Sequence, residues 1–289
     1  MNSEYQTASD LVASVKTLLT LPEVYLRVKS VVDDPESCLT DLVNAISIDA
    51  GITARLLRMV NSAYFNLGVS VEHARQAVNL LGMKSVHNLV LATTLSNSFS
   101  KSQSSTLNMR KFWEQSVRRA VFSRSIAMYC NEPEHERLFV DGLLSNIGHQ
   151  VMSMQMSDIS EVVMKKSEQT GVALADVENE VIGFNFAEVS AELLSNWGLP
   201  KSISEVVRFQ LTPELAGEYE KEASIVHIAN ALALFTDSRF DNDMLMSEIN
   251  PQAWECTGLI PDNLVDLYEG SNLEVVETTD MLLGAAMAA

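Results

Sequence analysis

The chain has 289 residues, 47% hydrophobic and 20% charged, an ordinary globular composition with enough length for a large buried core. No apolar run reaches the roughly 18 residues needed to cross a bilayer, so no membrane span is expected. The net charge of -18 comes from residues 131–289, where 28 acidic residues face 7 basic ones; such a field repels nucleic-acid phosphate, and no nucleic-acid partner is expected.

The predicted elements are helical throughout. Ala8-Ser9-Asp10 caps a first helix over LVASVKTLL, and Leu21-Pro22 opens a second over EVYLRVKSVV that Asp34-Pro35 ends. Ser37 opens a third, carrying Leu39, Leu42, Val43 and Ile46. Asp49 caps a fourth, in which Ile52, Leu56, Met59 and Val60 share one face. NSAYFNLGVS reads as a loop with Ser70 as the next N-cap. The helix that follows ends at Gly82, and a long one runs from about Lys84 to Phe99. The polar stretch KSQSSTLN reads as a hinge. A long helix then covers MRKFWEQSVRRAVFSRSIAMYC, followed by the helix of GLLSNIGHQ. Further helices are expected around 158–168, 187–197, 202–209 and 223–235. The last fifty residues read as short helices packed against the body. The fold class is therefore all-α, divided into an N-terminal helical lobe over 1–107, a second helical lobe over 108–236 and an acidic C-terminal extension over 237–289.

Three widely separated cysteines, Cys38, Cys130 and Cys256, argue against a disulfide framework. The first residues, MNSEYQTASD, lack the basic and apolar segments of a secretory leader. Both point to a reduced, cytoplasmic setting. The basic clusters Arg55/Arg58 and Arg118/Arg119/Arg124 fit solvated helix faces. No phosphate-binding glycine loop, GxGxxG, CxxC or GxSxG is present. Asn61 and Ser62 fall where a helix end turns, and an amide there serves exposed backbone groups or a contact with a neighbouring lobe or partner.

The order of motifs LPEVYLRVKSVVDDPES, LVNAISIDAGITARLLRMVNSAYFN and AVNLLGMKSVHNLVLA resembles the N-terminal part of the HDOD family, the HD-related output domains. FWEQSVRRA, FVDGLLSNIGH, GFNFAEVSAELLSNWGLP and VVRFQLTPE resemble the part of that family related to HD-type metal phosphohydrolases. The likeness covers about residues 18 to 235. It implies a lobe with the HD-hydrolase helix arrangement, in which His and Asp side chains hold divalent cations that activate water.

Carried over position by position, the resemblance implies that every ligand is replaced. The first His falls on Gln115, before Ser116. The His-Asp pair falls on Ser145-Asn146, a His on Phe186, a His-His pair on Gln210-Leu211 and the last Asp on Asn230. Amides and hydroxyls hydrogen-bond one another but bring no anionic charge to a metal. No metal and no other cofactor is therefore expected, and no catalytic residue is assigned. His149, four residues after Ser145, could approach the old site if one helix carried both; His227, three before Asn230, is in a similar position.

Three functions are compatible with this pattern. The first is a non-catalytic bacterial signalling output module that binds a protein partner or a small ligand. The second is a phosphohydrolase of the HD superfamily. The third is a metal-free nucleotide or cyclic-dinucleotide sensor, whose polar pocket would draw on Gln115, Arg118, Arg119, Asn146, His149, Asn185 and Asn230. The alternative for those amides is that they satisfy each other.

Overall fold

Side-chain caps fix several of the helix starts, and not always where the sequence alone suggests. Thr7, rather than the Ala8-Ser9-Asp10 stretch, caps the first helix: its hydroxyl accepts the Asp10 N–H at 3.1 Å and the Asp10 carboxylate accepts the Thr7 N–H, a reciprocal capping box. The Cys38 N–H likewise donates to Asp41 at 2.9 Å, so the third helix starts after Cys38 and not at Ser37. Asp49 caps the fourth as expected, its carboxylate accepting the Ile52 N–H at 2.9 Å.

The computed structural model describes residues 5–15, 21–62, 65, 68–99, 107–235 and 246–283. Most of the Lys101–Asn108 hinge, part of the loop after Ser62 and the acidic stretch 236–245 lie outside them. Among the described residues there are fifteen α-helices, two short 3-10 turns and no strand. The fold is all-α. It divides into two compact units, one of residues 1–20 and 103–269, the other of residues 21–102 and 270–289.

The smaller unit holds α2 (Glu23–Val32), α3 (Leu39–Ser47), α4 (Ala50–Val60) and α5 (Ala74–Phe99). Leu42, Ile46, Ile52, Leu56 and Met59 are buried between them. Within α5 the chain breaks at Gly82, whose φ of 81° suits a residue without Cβ. The expected cap at Ser70 is displaced, because α5 begins only after His73, whose carbonyl takes the first helical N–H groups. Asn61 anchors the chain before that point. Its side chain accepts the Val71 N–H and donates to the Val71 and Leu57 carbonyls, all at 2.7–2.8 Å. Tyr25 and His87 form a second buried pair, Oη to Nε2 at 3.0 Å. Burial, assisted by Asp33, raises the Tyr25 hydroxyl and burial lowers the imidazole, so both are neutral.

The larger unit contains α1 (Ala8–Ser14), α6 (Met109–Tyr129), α7 (His135–Leu144), α8 (Ile147–Gln155), α9 (Ser157–Thr170), α10 (Leu174–Val181), α11 (Phe186–Asn196), α12 (Lys201–Arg208), α13 (Glu220–Leu234) and α14 (Pro251–Thr257). α6 is its axis. It packs on both α7 and α13, and so buries Trp113, Val117, Ala120, Val121, Phe122 and Ile126 around much of its circumference. α1 packs on α8 and α11, which places the first residues with this unit and not with residues 21–102, where the sequence boundary at 107 put them. The C-terminal region also differs from the expected string of short helices. α15 (Pro261–Leu283) is one helix of 23 residues, and residues 237–289 are divided between the two units. Leu264, Tyr268, Val275, Leu282 and Leu283 are buried along it, a helical spacing that the acidic residues between them obscure in the sequence.

Candidate functional site

GLLSNIGHQ is not one helix. α7 ends at Leu144, Ser145 and Asn146 form a turn, and α8 starts at Ile147. Two glycines allow the neighbours to approach this break. A Cβ on Gly142 would lie 2.6 Å from the Arg119 carbonyl oxygen and 2.5 Å from Ser123 Oγ; one on Gly148 would strike the Phe186 carbonyl and lie 2.8 Å from Ser190 N. Gly142 thus brings α6 against α7, and Gly148 brings α11 against α8.

A break inside a packed core exposes backbone groups that need partners. Gln210, fully buried after α12, supplies one. Its amide nitrogen donates to the Ser145 and Val207 carbonyls, both at 2.8 Å, and its amide oxygen accepts from Asn230 Nδ2 at 2.7 Å. Ser190 Oγ accepts the Gly148 N–H at 2.8 Å and reaches the Ser145 and Phe186 carbonyls. The Ser145 hydroxyl has three acceptors within 3.3 Å: the Gly142 carbonyl, Asn146 Oδ1 and Asn230 Oδ1. Having one proton, it satisfies one at a time.

His227 completes the cluster. Its Nδ1 donates to the Gln210 carbonyl at 2.7 Å, while Nε2 accepts the Asn250 N–H at 2.9 Å. Only the neutral ring can do both, and burial holds its pKa below the ordinary imidazole value.

Asn146, Phe186, Gln210, Leu211 and Asn230 line one pocket of about 180 Å³ together with Arg119 and His227. Five of the seven replaced positions therefore converge, and Ser145 lies beneath them, fully buried. The other residues named from the sequence are elsewhere. Gln115 lies one turn before Arg119 on α6, its Oε1 buried without a donor among the described residues. Arg118 donates to the Phe235 carbonyl at 2.5 Å and lies over the rings of Phe122 and Tyr268. Asn185 caps α11, accepting the Ala187 and Glu188 N–H groups. Asn61 and Ser62 bond to backbone of their own unit. His149 is turned away because the helix breaks after Leu144. Its ring stacks on Phe186 at 4.1 Å, and Nε2 stands 3.2 Å from the buried Glu178 carboxylate without hydrogen-bond alignment. It borders a separate, largely apolar cavity of about 80 Å³ with Met152, Val163 and Ile182. Sequence reasoning missed Ser190, because a serine inside a helix carries no signal of its partner.

The donors at the replaced positions do not fit a divalent cation. Phe186 and Leu211 offer no lone pair. The Gln210 and Asn230 groups are engaged with each other and with backbone, none is anionic, and the Arg119 guanidinium lines the same space and repels a cation. Among the described residues, no three His, Cys, Asp or Glu side chains are grouped so as to hold a metal ion.

The sequence profile of the HDOD domain matches residues 18–213. The chain belongs to the HDOD family. A protein of Treponema pallidum (strain Nichols) without assigned function is 26% identical over 249 residues, covering 82% of this chain and 47% of its own length. The chain thus spans about half the length of that curated relative. Three solved structures have a similar fold. An HDOD domain protein of unknown function from Geobacter sulfurreducens has a TM-score of 0.76 at 17% identity, covering 96% of this chain and 98% of that one. A candidate phosphohydrolase from Shewanella amazonensis SB2B has a TM-score of 0.75 at 22% identity, with 94% and 98% covered. A candidate signal transduction protein from Marinobacter aquaeolei VT8 has a TM-score of 0.65 at 20% identity, with 99% and 62% covered. At these identities the likeness establishes the fold alone, and fold does not carry function.

Proposed function

We propose that this HDOD chain is a non-catalytic signal-transduction module, which acts by binding a protein partner or a small ligand on an HD-type scaffold. One observation carries the reading. At the helix break where HD hydrolases are expected to hold their cations, Gln210 and Asn230 bond each other and close onto the Ser145 carbonyl. A hydrolase site needs anionic or imidazole ligands free to face a metal. Here the groups are neutral and serve the backbone. The matched family and a structural neighbour named for signal transduction support the signalling role. A cytoplasmic location accords with the three free cysteines.

Elemental analysis of the purified full chain tests this directly. Less than about 0.1 equivalent of Mn, Fe, Ni and Zn is expected, against about one or two for a loaded hydrolase. Nucleotides, cyclic dinucleotides and an artificial phosphodiester should show no turnover with added Mn²⁺. One equivalent of tightly held metal, or turnover lost in Asn146→Ala, would establish the phosphohydrolase reading instead. Affinity capture from the native cell, with a folded surface variant as control, would identify the partner.

A further inference from the structure

Among the described residues of the larger unit, every arginine but one has a side-chain or carbonyl partner. Arg110 meets Glu114, Arg124 meets Glu136, Arg137 meets Asp141 and Glu222, and Arg208 meets Glu192. Arg118 is bound to the Phe235 carbonyl. Arg119 has no carboxylate or carbonyl partner among the described residues, and its Nε is buried with no acceptor. This occurs in a chain with 38 acidic residues against 20 basic ones, where a carboxylate partner would be easy to supply. Burial, and then the neighbouring Arg118, lower its pKa to about 10. It remains a cation at neutral pH, partly withdrawn from water and with no ion-pair partner among the described residues.

Arg119 is one of the residues that line the pocket. Gly142 seats α7 against the Arg119 backbone, and Arg119 lines the same space as Asn146, Gln210, His227 and Asn230. Asn146 Oδ1 is within reach of the Ser145 hydroxyl, while its amide nitrogen has no acceptor among the described residues. A guanidinium fork beside a free amide donor is complementary to an oxyanion. The volume, about 180 Å³, is below the roughly 300–1,000 Å³ of sites that enclose whole drug-sized ligands. It suits one phosphoryl-sized group and not an entire cyclic dinucleotide.

We propose that the pocket at the α7–α8 break binds a single phosphate-class oxyanion, free or as the end group of a phosphomonoester, through Arg119 and Asn146 without a metal ion. The proposal rests on the metal-free reading of the site and names its ligand class. Glu248, exposed at the same pocket, opposes the anion and limits its affinity.

Isothermal titration of the full chain with inorganic phosphate and with AMP, at constant ionic strength and with EDTA present, tests it. Saturable binding is expected for at least one probe. Equal affinities mark a free ion as the ligand, and tighter AMP binding marks a phosphomonoester. Arg119→Gln should weaken binding at least tenfold, Arg119→Lys less so, and Glu248→Gln should tighten it a fewfold. Circular dichroism confirms folding, and Arg119→Lys, which keeps the charge, serves if Arg119→Gln does not fold. Binding unchanged in folded Arg119→Gln, or not tightened in Glu248→Gln, overturns the proposal. Binding that requires metal and is abolished by EDTA overturns both this proposal and the metal-free reading. Absence of binding with and without EDTA overturns this proposal alone.

Discussion

Gln210 offers the sharpest test of the idea that the replaced positions now form a structural network. It is fully buried and makes three hydrogen bonds. In Gln210→Ala, Asn230 Nδ2 and the Val207 carbonyl lose their side-chain partner; the Ser145 carbonyl keeps only Ser190. Leaving a buried polar group unmet costs about 1–3 kcal/mol, and the cavity adds to this. A loss of about 3–5 kcal/mol is expected, which for a domain of roughly 200 residues lowers Tm by about 2–4 °C per kcal/mol. Gln210→Glu sharpens the test, since it keeps the shape and reverses the chemistry. Its carboxylate would face two carbonyl oxygens, so its folded pKa rises above the unfolded value of about 4.3. The variant should therefore approach wild type below that pH and become progressively less stable as pH rises above it. Urea denaturation at pH 4 and pH 8 measures both effects. If Gln210→Ala costs less than about 1 kcal/mol, or Gln210→Glu shows no dependence on pH, the network does not hold the helix break together.

Asp141 is fully buried beside Arg137, with Nη1 to Oδ2 at 2.9 Å and Oδ1 unpartnered. Burial outweighs the arginine and raises its pKa to about 8. Such a group contributes stability that is lost as pH rises from about 4 through 8, so Asp141→Asn should flatten thermal stability across that window; a variant that melts with the wild-type pH profile contradicts this. Gly148→Ala forces a methyl group onto the Phe186 carbonyl and should cost about 1–3 kcal/mol, seen as a lower Tm and faster proteolysis between α8 and α11. Asn61→Ala removes three backbone contacts and should cost about 1–2 kcal/mol in urea denaturation, with earlier hydrogen exchange at Val71.

Much of this protein is determined locally. Apolar spacing, caps such as Asp49 and the break at Gly82 dictate helices from interactions within a few residues, and the order of motifs carries the family. The replacement of each expected metal ligand is likewise a matter of residue identity. Where the caps fell elsewhere, at Thr7 and after His73, the deciding contacts were Asp10 and the Asn61 clamp on Val71.

Tertiary structure decided the rest, because it depends on partners distant in the chain. The turn at Ser145-Asn146 persists since Gln210, 65 residues on, and Ser190, 45 residues on, satisfy the carbonyl it exposes. The same break turns His149 toward Glu178 and Phe186. Of two adjacent arginines, packing commits Arg118 to the Phe235 carbonyl and leaves Arg119 facing the pocket. Adjacent residues on a helix point about 100° apart, so the neighbours packed around α6, and not the Arg-Arg pair itself, assign each side chain its role.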